Sequence, residues 1–200
     1  MASGERKVLL AITDISGYTQ FMLSNKTSLT HSQAIITELI RAIVDEVEIP
    51  LEISKLQGDS VFLYAIKDGG DTPWENSGRK SMGRKLLSFF HAFSNKIAEL
   101  SESHTCKCGA CENIDNLKLK IVVHSGDALF YSIGKFEELS GIDVIIAYRL
   151  LKNSVESAQY ILMTQPAYED LELPEEIEIV EGAESYAEIG ALKTYTCFPP

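Results

Sequence analysis

Lys55-Leu56-Gln57-Gly58-Asp59-Ser60-Val61-Phe62-Leu63-Tyr64 reads as two strands joined at a Gly58-Asp59 turn. Leu51 to Leu56 alternates apolar and polar on the way in, and Val61 to Ile66 is nearly all apolar on the way out. A Gly-Asp pair between two such runs is a hairpin signal, because Gly takes positive φ without penalty and Asp tolerates tight turns. Asp59 therefore stands at a turn tip beside a buried sheet. Read alone, it is an ordinary turn aspartate.

A second carboxylate upstream changes that reading. Lys7-Val8-Leu9-Leu10-Ala11-Ile12-Thr13 suits a central buried strand. It ends at Asp14, followed by Ile15-Ser16-Gly17 and a helical Tyr18-Thr19-Gln20-Phe21-Met22-Leu23. A carboxylate closing so apolar a strand needs a reason to be there. Backbone amides at the following helix start could receive phosphate. Two aspartates on adjacent sheet elements supply what hard cations require, oxygen ligands.

Outward from the hairpin, Thr30 to about Val47 is a helix, with Ile35, Ile36, Leu39, Ile40, Ile43, Val44 and Val47 at helical spacing. Pro50 ends that run. Lys67 to Gly78 is a loop holding Trp74, the one tryptophan, which reads as a packing anchor or a partner contact. A second long helix spans about Gly78 to Ser101, with Met82, Leu86, Phe89, Phe90, Phe93, Ile97 and Leu100 as its core stripe. Leu117 to Val123 is a strand, His124-Ser125-Gly126-Asp127 a turn, and Ala128 to Ile133 a partner strand. Lys135 to Gly141 is a loop and Ile142 to Lys152 a helix. Short strands near Tyr160 to Met163, Ile177 to Val180 and Thr194 to Phe198, with a helix after Gln165-Pro166, complete the chain. The order contains a βαββαβ unit, the ferredoxin-like pattern of an α+β fold, with helices expected on one face of the sheet. Asp14 and Asp59 would lie side by side in such a sheet.

At 200 residues the chain suits a single domain over 1–200, with a cysteine-rich insert at about 102–116. A hydrophobic content of 45% is enough for a core, and the net charge of −11 argues against nucleic-acid or anionic-membrane partners. The first apolar run is too short for a signal-peptide core, and no run approaches the roughly 20 apolar residues of a membrane span. The expectation is a soluble cytoplasmic protein.

The motifs resemble those of the class III adenylate and guanylate cyclases. Thr13-Asp14-Ile15-Ser16-Gly17-Tyr18-Thr19 resembles that family's first metal motif, and Lys55-Leu56-Gln57-Gly58-Asp59 the second. Leu119 to Asp127 is similar to its later strand and turn, Gly141 to Leu150 to its last catalytic helix, and Leu192 to Phe198 to its closing strand. The cysteine-containing insert resembles a divergent, uncharacterised bacterial subgroup. The resemblance implies cyclisation of a nucleoside triphosphate, ATP ahead of GTP, with two Mg²⁺ or Mn²⁺ ions. By the same resemblance Asp14, Asp59 and the Ile15 carbonyl hold the metals, and Ser16, Gly17 and Tyr18 receive the phosphates. Lys55 and Glu138 then read the base, and Arg149 stabilises charge on the transferring phosphate. The site would form across a head-to-tail homodimer, Lys55 and Arg149 of one chain serving Asp14 and Asp59 of the other.

Each of these residues also has an ordinary reading: Lys55 as a strand-edge lysine, Arg149 as a surface ion pair, His124 as a structural histidine. One departure from the family pattern is costly. Four residues before Arg149 the family carries an Asn that orients the ribose, and here stands Ile145. Losing an oriented donor commonly costs about 10²–10³ in rate. Two classes stay open on this ground: a cyclase of low or altered activity, and a catalytically silent nucleotide-sensing or interaction module.

Cys106, Cys108 and Cys111 cluster in the insert. Such clustering favours a metal over a disulfide in a reducing compartment. Zinc needs four ligands, so His104 or Cys197 would complete a structural site. Free thiols and a redox disulfide are the alternatives.

Overall fold

The computed structural model describes residues 4–68, 74, 78–103, 106 and 108–199. Its central strand, β1 (Gly4–Ser16), lies between β3 (Ser60–Ile66) and β4 (Lys118–Ile133), antiparallel to both. Side chains from β1 enter two separate cores. Leu9, Ala11 and Ile15 face one, and Val8, Leu10 and Ile12 the other. Burial on both faces explains why the run shows no polar alternation.

The remaining strands are β2 (Leu51–Gln57), β5 (Phe136–Ser140), β6 (Tyr160–Thr164), β7 (Ile179–Tyr186) and β8 (Gly190–Cys197). All eight join one sheet in the order β2-β3-β1-β4-β6-β8-β7, with β5 paired to β4. The first four in that path have the ferredoxin-like order. β6 runs parallel to β4, and β8 and β7 extend the sheet antiparallel beyond it. The fold is the expected α+β core with additional C-terminal strands.

The helices α1 (Tyr18–Ser24), α2 (Leu29–Asp45) and α3 (Arg79–Ser103) cover the first core. The stripe Phe89, Phe90 and Phe93 is almost wholly removed from water there, as is Met82, so it is packing rather than a ligand pocket. Trp74 is buried in the same core. A short α4 (Gly109–Glu112) follows α3.

Three local expectations change. The stretch His124 to Asp127 is not a turn: β4 continues straight through it, because β1 supplies backbone partners along the way, Val8 opposite Gly126 and Lys7 opposite Asp127. The reversal comes instead at Gly134, whose φ of 63 favours glycine. The segment Lys135 to Gly141 is largely strand β5, paired to Leu129–Ile133, its half-polar sequence hiding the ladder. And the helices do not all share one face. α5 (Ile142–Arg149) packs on the opposite side, burying Val144, Ile146 and Ala147 in the second core. α6 (Gln165–Asp170) returns to the first.

Gly83 shows how closely α3 approaches the chain after α6. A Cβ there would lie 2.3 Å from the Glu172 carbonyl oxygen. Alanine is ordinarily the better helix former, by about 1 kcal/mol. Gly83→Ala is nonetheless expected to destabilise the protein, by about 1–3 kcal/mol through overpacking against backbone, read as a lower urea midpoint at unchanged m-value.

Candidate functional site

The paired aspartates meet on the α5 side of the sheet. Asp14 lies in register with Ser60 on β3 and with Lys120 on β4, and Lys120 in turn lies opposite Tyr160 on β6. Directly paired residues share a sheet face, so these four side chains form a row across it. Asp59, one residue before Ser60, closes the row at the hairpin tip. Both carboxylates are partly buried. Burial first, and then the negative charge of Asp14, push the Asp59 carboxyl up to about 6, while Lys120 acts in the opposite direction. The Lys120 ammonium stands 2.9 Å from Asp14 Oδ2. The corner is thus an anionic pair with one resident cation.

Ile15 is buried to 1% exposure, so only its carbonyl could reach a cation. Gly17 caps α1 with φ +87, and a Cβ there would lie 3.2 Å from the Asn116 carbonyl oxygen. The Ser16–Tyr18 turn is therefore pressed against the start of β4.

A second group sits along the same face. Glu52 and Lys55 lie opposite Tyr64 and Phe62 of β3, although they are an odd three positions apart on β2. A bulge at Ser54 makes this possible by inserting one residue and re-aiming those that follow. Lys55 then forms an ion pair with Glu138 of β5. The Tyr148 hydroxyl donates to Gln57 Oε1 at 2.8 Å, and burial with the charge of Glu138 raises the Tyr148 pKa. Arg149, at the end of α5, is 3.8 Å from Glu188. Among the described residues, no ion pair joins Lys55 or Arg149 to Asp14 or Asp59. Among the described residues the ion pairs on this face fall in two groups, Asp14 with Lys120 and Lys55 with Glu138, and Gln57, in register with Ser60, lies between them.

His124 has a structural setting. It is buried, with Nδ1 2.8 Å from Thr164 Oγ1 and Nε2 2.9 Å from Asp143 Oδ1, and burial lowers its pKa. Asp143 also accepts the Asp127 backbone N–H at 2.7 Å. These contacts tie the first turn of α5 to β4, and Gly126 leaves the room: a Cβ there would lie 2.1 Å from Asp143 Cγ. Ile145, by contrast, points outward and is 55% exposed.

The insert gathers a different set. Cys106, Cys108 and Cys111 come together with His31 of α2, their ligand atoms all within 4.8 Å of one another. His104 lies outside the described residues. Cys197 is buried in β8, within the first core. Sequence reasoning missed Lys120 and His31. Lys120 had a signal in its alternation with Leu119 and Ile121; His31 had none, because its partners are 75 or more positions away.

The family described as "Protein of unknown function (DUF2652)" matches residues 36–160. A curated relative, "Uncharacterized protein Rv2561/Rv2562" of Mycobacterium tuberculosis (strain ATCC 25618 / H37Rv), is 31% identical over 129 residues, 64% of this chain. The matched part spans 57% of that relative's length. Among solved structures, the adenylyl cyclase CyaB from P. aeruginosa superposes with a TM-score of 0.71 at 14% identity, over 100% of this chain and 97% of that one. The guanylyl cyclase Cya2 gives 0.73 at 12%, over 98% and 94%. The guanylate cyclase domain of RhGC from Catenaria anguillulae, solved in complex with GTP, gives 0.68 at 16%, over 98% of each. At these identities the likeness is one of fold: the chain has the fold of nucleotidyl cyclase catalytic domains.

The state of Asp59 makes a stability prediction. Its carboxyl ionises less readily in the fold than in the open chain, where the ordinary value is 3.8, so the folded form holds its proton longer. That contribution is full below pH 4 and is lost as pH rises from about 4 to about 6. Asp59→Asn is expected to raise stability at pH 7 by about 1 kcal/mol, the shift being discounted for partial exposure, and to flatten that part of the pH profile. An unchanged urea midpoint at pH 7 would count against a strained acid pair.

Proposed function

The chain belongs to the family described as "Protein of unknown function (DUF2652)", and we propose that it is a nucleotidyl cyclase-like protein that binds a nucleoside triphosphate through divalent metal. The observation that carries the reading is the meeting of Asp14 and Asp59 at one partly buried corner, with Asp59 held up by burial and by Asp14. Like charges kept together at a cost to the fold mark functional sites more often than structural ones.

In this reading Asp14, Asp59 and the Ile15 carbonyl would hold two Mg²⁺ or Mn²⁺ ions, which would supply activation of the 3′-hydroxyl and charge neutralisation of the triphosphate. The Ser16–Tyr18 turn lies beside the phosphates. Lys55 donates to, and Glu138 accepts from, the base edge, with ATP ahead of GTP. Arg149 moves from Glu188 to the transferring phosphate. Within one chain Lys55 pairs with Glu138 and Arg149 with Glu188 rather than with the aspartates, and a head-to-tail homodimer would bring the Lys55 and Arg149 of one copy to the aspartates of the other. Exposed Ile142 and Ile145 on α5 and Phe136 and Ile133 on the β4–β5 hairpin suit such a face.

Two observations favour a second reading, a silent nucleotide-sensing or interaction module. Ile145 offers no hydrogen bond where an oriented donor is needed, and the Lys120 ammonium competes for Asp14. The two readings part on turnover. Purified chain incubated with ATP or GTP and Mn²⁺ is expected to form cyclic nucleotide slowly, with loss of product in Asp59→Ala and a gain of about 10² in Ile145→Asn. Binding without product in either protein identifies the silent module. Absence of both nucleotide and Mn²⁺ binding overturns both readings. Lys120→Met removes the competing cation and is expected to tighten Mn²⁺ binding about tenfold, measured by titration of the free ion.

A further inference from the structure

We propose that His31, Cys106, Cys108 and Cys111 form a zinc site that staples the insert to the start of α2. The inference is independent of the nucleotide reading. The four ligand atoms lie within 4.8 Å of one another, and the spacings among Cys108, Cys111 and His31 suit three corners of a tetrahedron. With Zn–S near 2.3 Å and Zn–N near 2.0–2.1 Å, tetrahedral geometry sets S···S edges of about 3.8 Å and S···N edges of about 3.6 Å. Cys108 Sγ and Cys111 Sγ are 3.7 Å apart. His31 Nδ1 lies 3.3 Å from Cys108 Sγ and 3.9 Å from Cys111 Sγ, bracketing the second edge. Three thiols and one imidazole are a complete set for structural zinc.

The ligands come from two distant parts of the chain: Cys108 and His31 are 77 positions apart. No local turn preference explains their meeting. A disulfide accounts for it less well, since an S–S bond joins two of the three thiols and does not explain why the imidazole converges on them as well. The insert also has reason to need a staple. α4 has 4 residues and the 3₁₀ turn after it, Ile114–Asn116, has 3, far below the length at which a helix holds itself. Metal binding supplies folding free energy to such segments.

The staple has structural consequences along the insert. Gly109 packs so closely on Asn25 that a Cβ would lie 2.6 Å from its Oδ1, and the Asn25 amide donates to the Phe21 carbonyl of α1 at 2.7 Å. Asn116 backs Gly17. The metal would thus brace the insert against both ends of α1.

The test is metal content of the full chain, purified without chelator and dialysed, by plasma mass spectrometry, with Co²⁺ reconstitution as the spectroscopic probe. One zinc per chain is expected, with the intense visible bands of tetrahedral Co²⁺ and a near-ultraviolet thiolate charge-transfer band. His31→Ala, Cys108→Ser and Cys111→Ser should each lose the metal, whereas His104→Ala, Cys197→Ser and Asp59→Ala should keep it. His31→Cys supplies a fourth thiolate and should retain zinc, a rescue that separates ligand loss from misfolding. Zinc-free protein whose cysteines in the insert react freely with a thiol reagent overturns the proposal. So does retention of metal in His31→Ala together with its loss in His104→Ala. Retention in Asp59→Ala also keeps the result distinct from failure of the nucleotide site.

Discussion

The structure depends on one strand that from Val8 to Thr13 has no exposed face. β1 is hydrogen-bonded on both edges and covered on both sides. A strand in that position cannot slip or bend away, because a one-residue shift would exchange its two cores. Whatever follows its last apolar residues is therefore held rigidly. Asp14 is that residue, and the ladder to β3 holds Asp59 beside it. Two carboxylates on flexible loops would separate and hydrate. Here the backbone denies them that relaxation, and the cost appears as the raised Asp59 carboxyl. Lys120, opposite Asp14, offsets part of it.

The same rigidity sorts the chain's charge chemistry by face. The α5 side carries the aspartate corner and the Lys55–Glu138 pair, all oxygen and nitrogen groups of hard character. The insert carries soft sulfur and imidazole. The two are joined through the packing of Gly17 on Asn116, so the segment between β1 and α2 lies under the influence of both. α5 holds its place through His124 and Asp143, a neutral histidine used as a strut.

Departures from regular structure fall where polar groups must be aimed. The Ser54 bulge turns Lys55 toward Glu138. Gly126 admits Asp143 against β4. α5 crosses to the face opposite the long helices, leaving Ile142 and Ile145 exposed. On the cyclase pattern that the sequence resembles, position 145 calls for a hydrogen-bonding side chain. Its isoleucine sits beside another exposed apolar group, Ile142, which suits a contact surface.

Much of this was legible from the residues alone. Strings of apolar residues with the right period identified β1, the β2–β3 hairpin, α2 and α3, because burial requires that pattern wherever those segments end up. The pairing of Asp14 with Asp59 followed from a local turn and a strand end. Less was legible where a segment draws its structure from a distant partner. β4 continues through an apparent turn because β1 pairs with it, and β5 exists because β4 does; neither ladder leaves a trace in its own sequence. Lys120 facing Asp14 depends on register between strands more than 100 residues apart. His31 joins three cysteines only because α2 and the insert meet in space. Periodicity and turn chemistry are properties of neighbouring residues, and the sequence by itself determined those. Which side chains share a corner is decided by backbone pairing across the whole chain, and only the tertiary structure contains it.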